Sequence, residues 1–222
     1  MRVVIVGAGG HAQVVADILL RMRAAGEAIW PVGYVDDDEA LAGQRFLDLP
    51  VLGTVADLAA VDHDAVVVAV GDNATRQRLF ARLRGNGERF AVARHPGAVV
   101  APDVPVGPGS MICAGAVVNP RSTIGADTIL NTGCTVDHHN RVGDHAHVAP
   151  GVHLGGEVTI GEGAFVGIGS VVIPRRAIGA WATVGAGSVV TKGIPDGATA
   201  VGMPARVVRS VEGGQLPTGG GR

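Results

Sequence analysis

The residues able to do chemistry in this 222-residue chain fall into three groups. The first is its eight histidines, with His138 and His139 adjacent and His145, His147 and His153 close behind. An imidazole exchanges protons near neutral pH, so histidine suits general acid–base work or metal ligation. The second group is Gly7-Ala8-Gly9-Gly10-His11-Ala12. Glycines between a strand and a helix let the backbone approach phosphates at the positive helix end. Alone, this run reads first as a dinucleotide fingerprint, with Asp36 or Asp37 on a ribose. Gly71 and Asn73 follow another buried apolar run, at the strand end where α/β sheets bind ligands. The third group is Cys113 and Cys134, which suggest no disulfide framework; Cys134 reads as a packing residue.

Two kinds of element must position these groups. From Met1 to about Pro96, β-rich runs alternate with helical ones. Arg2 to Val6 reads as a strand and His11 to Ala24 as a helix, with Val14, Val15, Ile18 and Leu19 at helical spacing. Val32 to Val35 leads into Asp36-Asp37-Asp38. Ala65 to Val70 reads as a buried strand, followed by a charged helix over Ala74 to Leu83. This alternation predicts a small parallel sheet of Rossmann type. Fewer than 100 residues cannot supply both halves of a dehydrogenase fold.

Beyond residue 98 the period changes. Stepping by six from Val100 gives Val106, Ile112, Val118, Ile124, Leu130, Val136 and onward to Val184 and Val190, all aliphatic. A second, mostly small column lies four residues after each, with Arg176 its clearest exception. Gly often follows the aliphatic position, as at Gly107, Gly125, Gly143 and Gly161, and is read as permitting tight turns. This hexapeptide repeat predicts a parallel β-helix. The composition agrees, since 47% hydrophobic but only 3% aromatic residues suit a core of stacked small side chains. A net charge of −2 gives no reason to expect nucleic acid or an anionic membrane. No apolar stretch is long enough to span a bilayer, and no signal peptide is evident, so a cytoplasmic protein is expected.

The two regions together resemble the sialic acid O-acetyltransferase and nucleotide-sugar N-acetyltransferase family of hexapeptide-repeat acyltransferases. The markers are Gly7 to Ala12, Val35-Asp36-Asp37, Val70-Gly71-Asp72-Asn73, Asn131-Thr132-Gly133, Val136-Asp137-His138-His139 and Val201-Gly202-Met203-Pro204-Ala205-Arg206. The resemblance implies a Rossmann-like domain over 1–97, a left-handed β-helix over 98–210, and a homotrimer using acetyl-CoA as co-substrate. It also implies about 18 residues per turn, hence about five coils. Residues 211–222 are Gly-rich and expected to be disordered.

Residues 18 apart should then stack at about the 4.8 Å strand spacing. His138 would lie between Pro120 and Gly156, and a glycine over a histidine leaves an open shelf for a thioester carbonyl. The resemblance implies His138 as the base, His147 and Gly156 at acetyl-CoA, and Ile168 on the pantetheine path. It places Gly9, Gly10 and His11 at the phosphates and sugar of a nucleotide-linked sugar, and Asp36 and Asp37 at its base and ribose. Asn131 is a candidate to orient the acceptor. His145 and His153 are read as surface residues; Lys192, Arg206 and Arg209 would suit the phosphates of CoA. One position departs from the family: an acidic residue usually follows the catalytic histidine, and here it is His139. Stacking suggests Glu157 as a substitute.

The reading is acetyl transfer to the amino group of a nucleotide-linked sugar, with O-acetylation of a sialic acid or another sugar hydroxyl as the alternative. A non-enzymatic sensing scaffold and a metal-dependent trimer are the other classes considered. No stoichiometric metal is expected.

Overall fold

The computed structural model describes residues 1–210; the expectation for 211–222 lies outside them. The chain opens with β1 (Arg2–Val6), α1 (Gly10–Ala24) and β2 (Trp30–Val35). A hairpin follows, β3 (Arg45–Phe46) and β4 (Leu49–Pro50), then β5 (Ala65–Val68) and α2 (Asn73–Gly85). β2, β1 and β5 form a parallel sheet in that order. Val3 to Val6 and Ala65 to Val68 are all buried, because a parallel sheet is covered on both faces. α2 begins where the Asp72 carboxylate accepts the Thr75 N–H at 2.8 Å, an N-cap bond.

The hairpin was not foreseen. Its turn residues, Leu47 and Asp48, have φ of 49° and 61°, but lack the Asn-Gly signature that usually marks such a turn. The hairpin packs so closely on β2 that a Cβ at Gly33 would lie 2.5 Å from the Pro50 carbonyl oxygen.

The rest is a left-handed parallel β-helix. Strand pairing steps by 18 residues, as in Ile129 with His147 and Thr135 with His153. The aliphatic column points inward and is buried from Ile112 to Val190. The solenoid has about six turns where five were expected. Two irregularities hid the ends. Arg94 occupies the aliphatic column in the first rung, where Ala93–Arg94 pairs with Met111–Ile112. At the other end Thr183 pairs with Thr199, a step of 16 that breaks the period.

Three faces result. The junction face contains Met111–Ile112, Ile129–Leu130, His147–Val148 and Phe165–Val166. There Met111, Ile129 and Cys113 share a core with Ala12, Val15, Ile18 and Leu19 of α1. The open face runs from Val99–Val100 to Val189–Val190, and the third from Thr123–Ile124 to Ala177–Ile178. Among the described residues no helix is long and apolar enough to cross a membrane.

The glycines after the aliphatic positions are not turn residues. Gly107, Gly125, Gly143 and Gly161 have no left-handed φ. A Cβ at Gly107 or Gly161 would fall 2.4 Å from a backbone nitrogen of the next coil, so close stacking of coils demands glycine there. The left-handed position lies two residues later. It recurs every six residues from Gly109 to Gly187 and accepts Arg121, Asp127, His139, His145, Glu157, Arg175 and Trp181 as well as glycine.

Candidate active site

His138 and His139 occupy the corner between the open and third faces. The Asp137 carboxylate holds that corner, accepting the His138 N–H at 2.8 Å and the Asn119 amide at 2.9 Å. These bonds hold the Asp137 carboxyl below its ordinary range, the Asn119 bond contributing most. Both imidazoles are exposed. His139, at φ 59°, brings its Nδ1 to 3.0 Å from the Nδ1 of His138, with the rings nearly perpendicular at 87°. Glu157 makes no hydrogen bond to either ring, so the substitute proposed from stacking does not form.

Gly156 stacks directly on His138. A Cβ there would lie 2.6 Å from His138 Cε1 and 2.8 Å from Nε2. Its φ is not left-handed, so no backbone requirement explains the glycine. Its N–H donates to no acceptor among the described residues, whereas the flanking N–H groups of Gly155 and Glu157 bond to Val172 and His138 carbonyls. The His138 ring thus packs directly against Gly156, which is buried, in place of the open shelf expected from stacking, and the Gly156 N–H is left without an acceptor among the described residues.

A second cluster forms at the domain junction. His147 projects from the junction face and is buried. Asn131 lies beside it, not beside His138: its Oδ1 accepts the Thr132 N–H at 2.8 Å, which turns Nδ2 toward His147 Nε2 at 3.1 Å. His11, in the first turn of α1, faces the same place with its ring centroid 6.3 Å from that of His147. Neither His11 Nε2 nor His147 Nδ1 has a hydrogen-bond partner. Burial, then the Arg76 charge, pushes His11 down to about 4. Burial, Arg76 and His11 push His147 down to about 3, weakly opposed by Gly71 backbone. Both are neutral at physiological pH, and His147 Nε2 bonds the Asn131 amide.

Arg76 is fully buried beneath this cluster. It donates to the carbonyls of Asp127, Val70 and His145 and to Asn73 Oδ1, and pairs with the Asp127 carboxylate at 3.2 Å. Asp127 also takes His145 Nδ1 at 2.8 Å. Burial raises the Asp127 carboxyl although His145 and Arg76 act against it. His145 is thus tied into the junction and is not the surface residue expected, whereas His153 is exposed. Asn73 donates to the carbonyls of Gly163 and Ala164. Both ends of its amide are committed to the junction, leaving neither for the substrate role expected of it. A polar pattern could have revealed this: Asn73, Arg76, Phe80 and Leu83 are the buried residues of α2, two polar side chains on an apolar stripe.

The loop after β1 keeps its form through Gly7, at φ 102°, where a Cβ would crowd the Ala69 carbonyl at 3.2 Å. Gly9, Gly10 and Gly71 face open space. The N-cap of α1, Gly9, supplies no side-chain bond, so the first-turn N–H groups point outward unused. Asp36 is less available than expected, since its two oxygens accept the Ala8 and Asp38 N–H groups at 2.7 and 2.9 Å. Asp37 is exposed and gives one oxygen to the Val55 N–H. Ile168 is 59% exposed at the corner between the junction and open faces; Lys192, Arg206 and Arg209 are exposed at the far end of the solenoid. Within one chain the packed interior separates His138 from His147.

Comparison with known proteins agrees with the fold. The PglD N-terminal domain family matches residues 2–83, and the bacterial transferase hexapeptide family (six repeats) matches 157–192. GDP-perosamine N-acetyltransferase from Caulobacter crescentus, solved with CoA and GDP-perosamine, is 40% identical. That match covers 95% of this chain and 98% of that one, with a TM-score of 0.86. The chain belongs to the hexapeptide-repeat sugar N-acetyltransferases. The acetyltransferase domain of PglB from Neisseria gonorrhoeae, solved with acetyl coenzyme A, is 34% identical over 93% of this chain and 98% of that one, with a TM-score of 0.86. WeeI from Acinetobacter baumannii is 28% identical over 94% of this chain and 100% of that one, with a TM-score of 0.83. No curated protein matches. This acyltransferase thus joins an N-terminal parallel-sheet domain to a solenoid with an exposed histidine corner, the two sharing one buried core.

Proposed function

We propose that the enzyme transfers the acetyl group of acetyl-CoA to the amino group of a nucleotide-linked amino sugar, with His138 as general base. The observation that carries this is the exposed His138 ring packed against Gly156, whose backbone N–H has no acceptor among the described residues. The amine attacks the thioester carbonyl while His138 Nε2 takes its proton. The Gly156 N–H stabilises the carbonyl oxygen as it becomes negative. Collapse expels the CoA thiolate, which recovers the proton from His138, leaving the amide and free CoA. Among the similar structures, a Caulobacter enzyme with one histidine replaced holds both CoA and GDP-perosamine, which makes a GDP-linked amino sugar the first acceptor to test. This chemistry belongs where acetyl-CoA and nucleotide sugars are made, the cytoplasm.

The working species in this reading is a homotrimer. His138 and the His11–His147 cluster lie on different sides of one solenoid, so a site using both draws on neighbouring copies. The open face also carries exposed apolar side chains suited to self-association, with Val99 64% and Val171 38% exposed.

CoA thiol release with GDP-, UDP- and dTDP-linked amino sugars, each beside its hydroxyl counterpart, tests the reading. Turnover of an amino sugar but not its hydroxyl counterpart is expected. Turnover of hydroxyl acceptors alone would overturn N-acetylation.

A further inference from the structure

We propose that His139 is a positioning residue, whose Nδ1 accepts the Nδ1–H of His138 and so leaves His138 Nε2 free to take a proton. This rests on the assignment of His138 as the base. The Nδ1 atoms are 3.0 Å apart, so one proton lies between them and one ring must accept. If His139 were the donor, the proton of neutral His138 would sit on Nε2, the atom beside Gly156, and that edge could not act as a base. With His138 as donor the bond also survives catalysis: the imidazolium formed at Nε2 keeps its Nδ1–H on His139, and neither ring turns. A carboxylate would add a charge at this point; the neutral imidazole fixes tautomer and orientation only.

The surroundings leave this acceptor role to His139. Asp137 spends one oxygen, Oδ1, on both the His138 backbone N–H and the Asn119 amide, and makes no bond to either imidazole. Arg121 below and Glu157 above share the left-handed corner position with His139, and neither side chain bonds its ring. Histidine also tolerates the positive φ that turns its ring back toward residue 138.

Two substitutions separate this role from simple packing. His139→Phe keeps a ring and loses the acceptor; His139→Asn loses the ring, keeps an acceptor oxygen and tolerates positive φ. Expected is a fall in kcat for His139→Phe of roughly 10- to 100-fold, the scale found when a partner orienting an imidazole is removed. KM for both substrates should be unchanged, and His139→Asn should recover most of the loss. Nitrogen NMR of the histidine-labelled enzyme supplies a readout independent of turnover. The neutral His138 ring should be protonated on Nδ1 in wild type and His139→Asn, and mixed in His139→Phe. A wild-type His138 protonated on Nε2, or a folded His139→Asn as slow as His139→Phe, would overturn the proposal. Full activity of His138→Ala would instead remove the base assignment, with the tautomer spectrum still reporting on His139.

Discussion

At the scale of single residues, the two histidine clusters differ in what surrounds them. His138 is exposed beside a glycine, whereas His147 and the Nε2 edge of half-buried His11 are shut away near the Arg76 cation, and the consequence is a pH-dependent stability. Their folded values, about 4 and about 3, lie below the ordinary histidine value of 6.5. The unfolded chain therefore binds more protons between those limits. The stability they contribute is complete above about pH 6.5 and is lost as pH falls toward 4 and then 3. Between pH 7 and pH 5 each should cost about 2 kcal/mol. Urea melts should show this slope, and His11→Gln with His147→Gln should flatten it. Gly156→Val is the complementary test. The atoms nearest a Cβ there belong to the exposed side chain of His138 and not to backbone, so the thermal midpoint should hardly move while calorimetric titration finds CoA binding lost. Normal CoA binding by a stable variant would mean that the thioester does not lie at Gly156.

At the scale of elements, the solenoid separates two kinds of glycine, and their substitutions should differ. Gly161→Ala places a methyl within 2.4 Å of the Ala180 nitrogen in the next coil, overpacking that should cost about 1–3 kcal/mol. Gly151 sits at a left-handed corner facing open space, so Gly151→Asn should be nearly neutral. Paired denaturant melts compare them. α2 gives a third case: Arg76→Met would strand the buried Asp127 carboxylate and should cost about 3–5 kcal/mol. The repeat was legible because its inward column never slips between Val100 and Val190, and the 18-residue step placed Gly156 on His138. What stayed hidden is long-range. Arg94 and a shortened last coil concealed one turn. The bonds of Asn73, Asp36 and His145 depend on where two domains or distant loops meet, which spacing along one chain does not report.

At the scale of the whole molecule, α1 and α2 clamp the N-terminal domain to the solenoid, leaving the open face and the His138 corner uncovered. Sedimentation should find a trimer, and Val171→Glu on the open face should give folded, inactive monomers; an active monomer would contradict assembly across that face. In the proposed mechanism acetyl transfer depends on one exposed imidazole, that of His138. The most direct measurement is CoA thiol release by His138→Ala with saturating acetyl-CoA and nucleotide-linked amino sugar, alongside wild type. Because the ring points away from the core, the variant should fold and assemble normally while its turnover falls by roughly two to four orders of magnitude. Turnover within about threefold of wild type, well inside the range expected for a positioned base, would contradict the account.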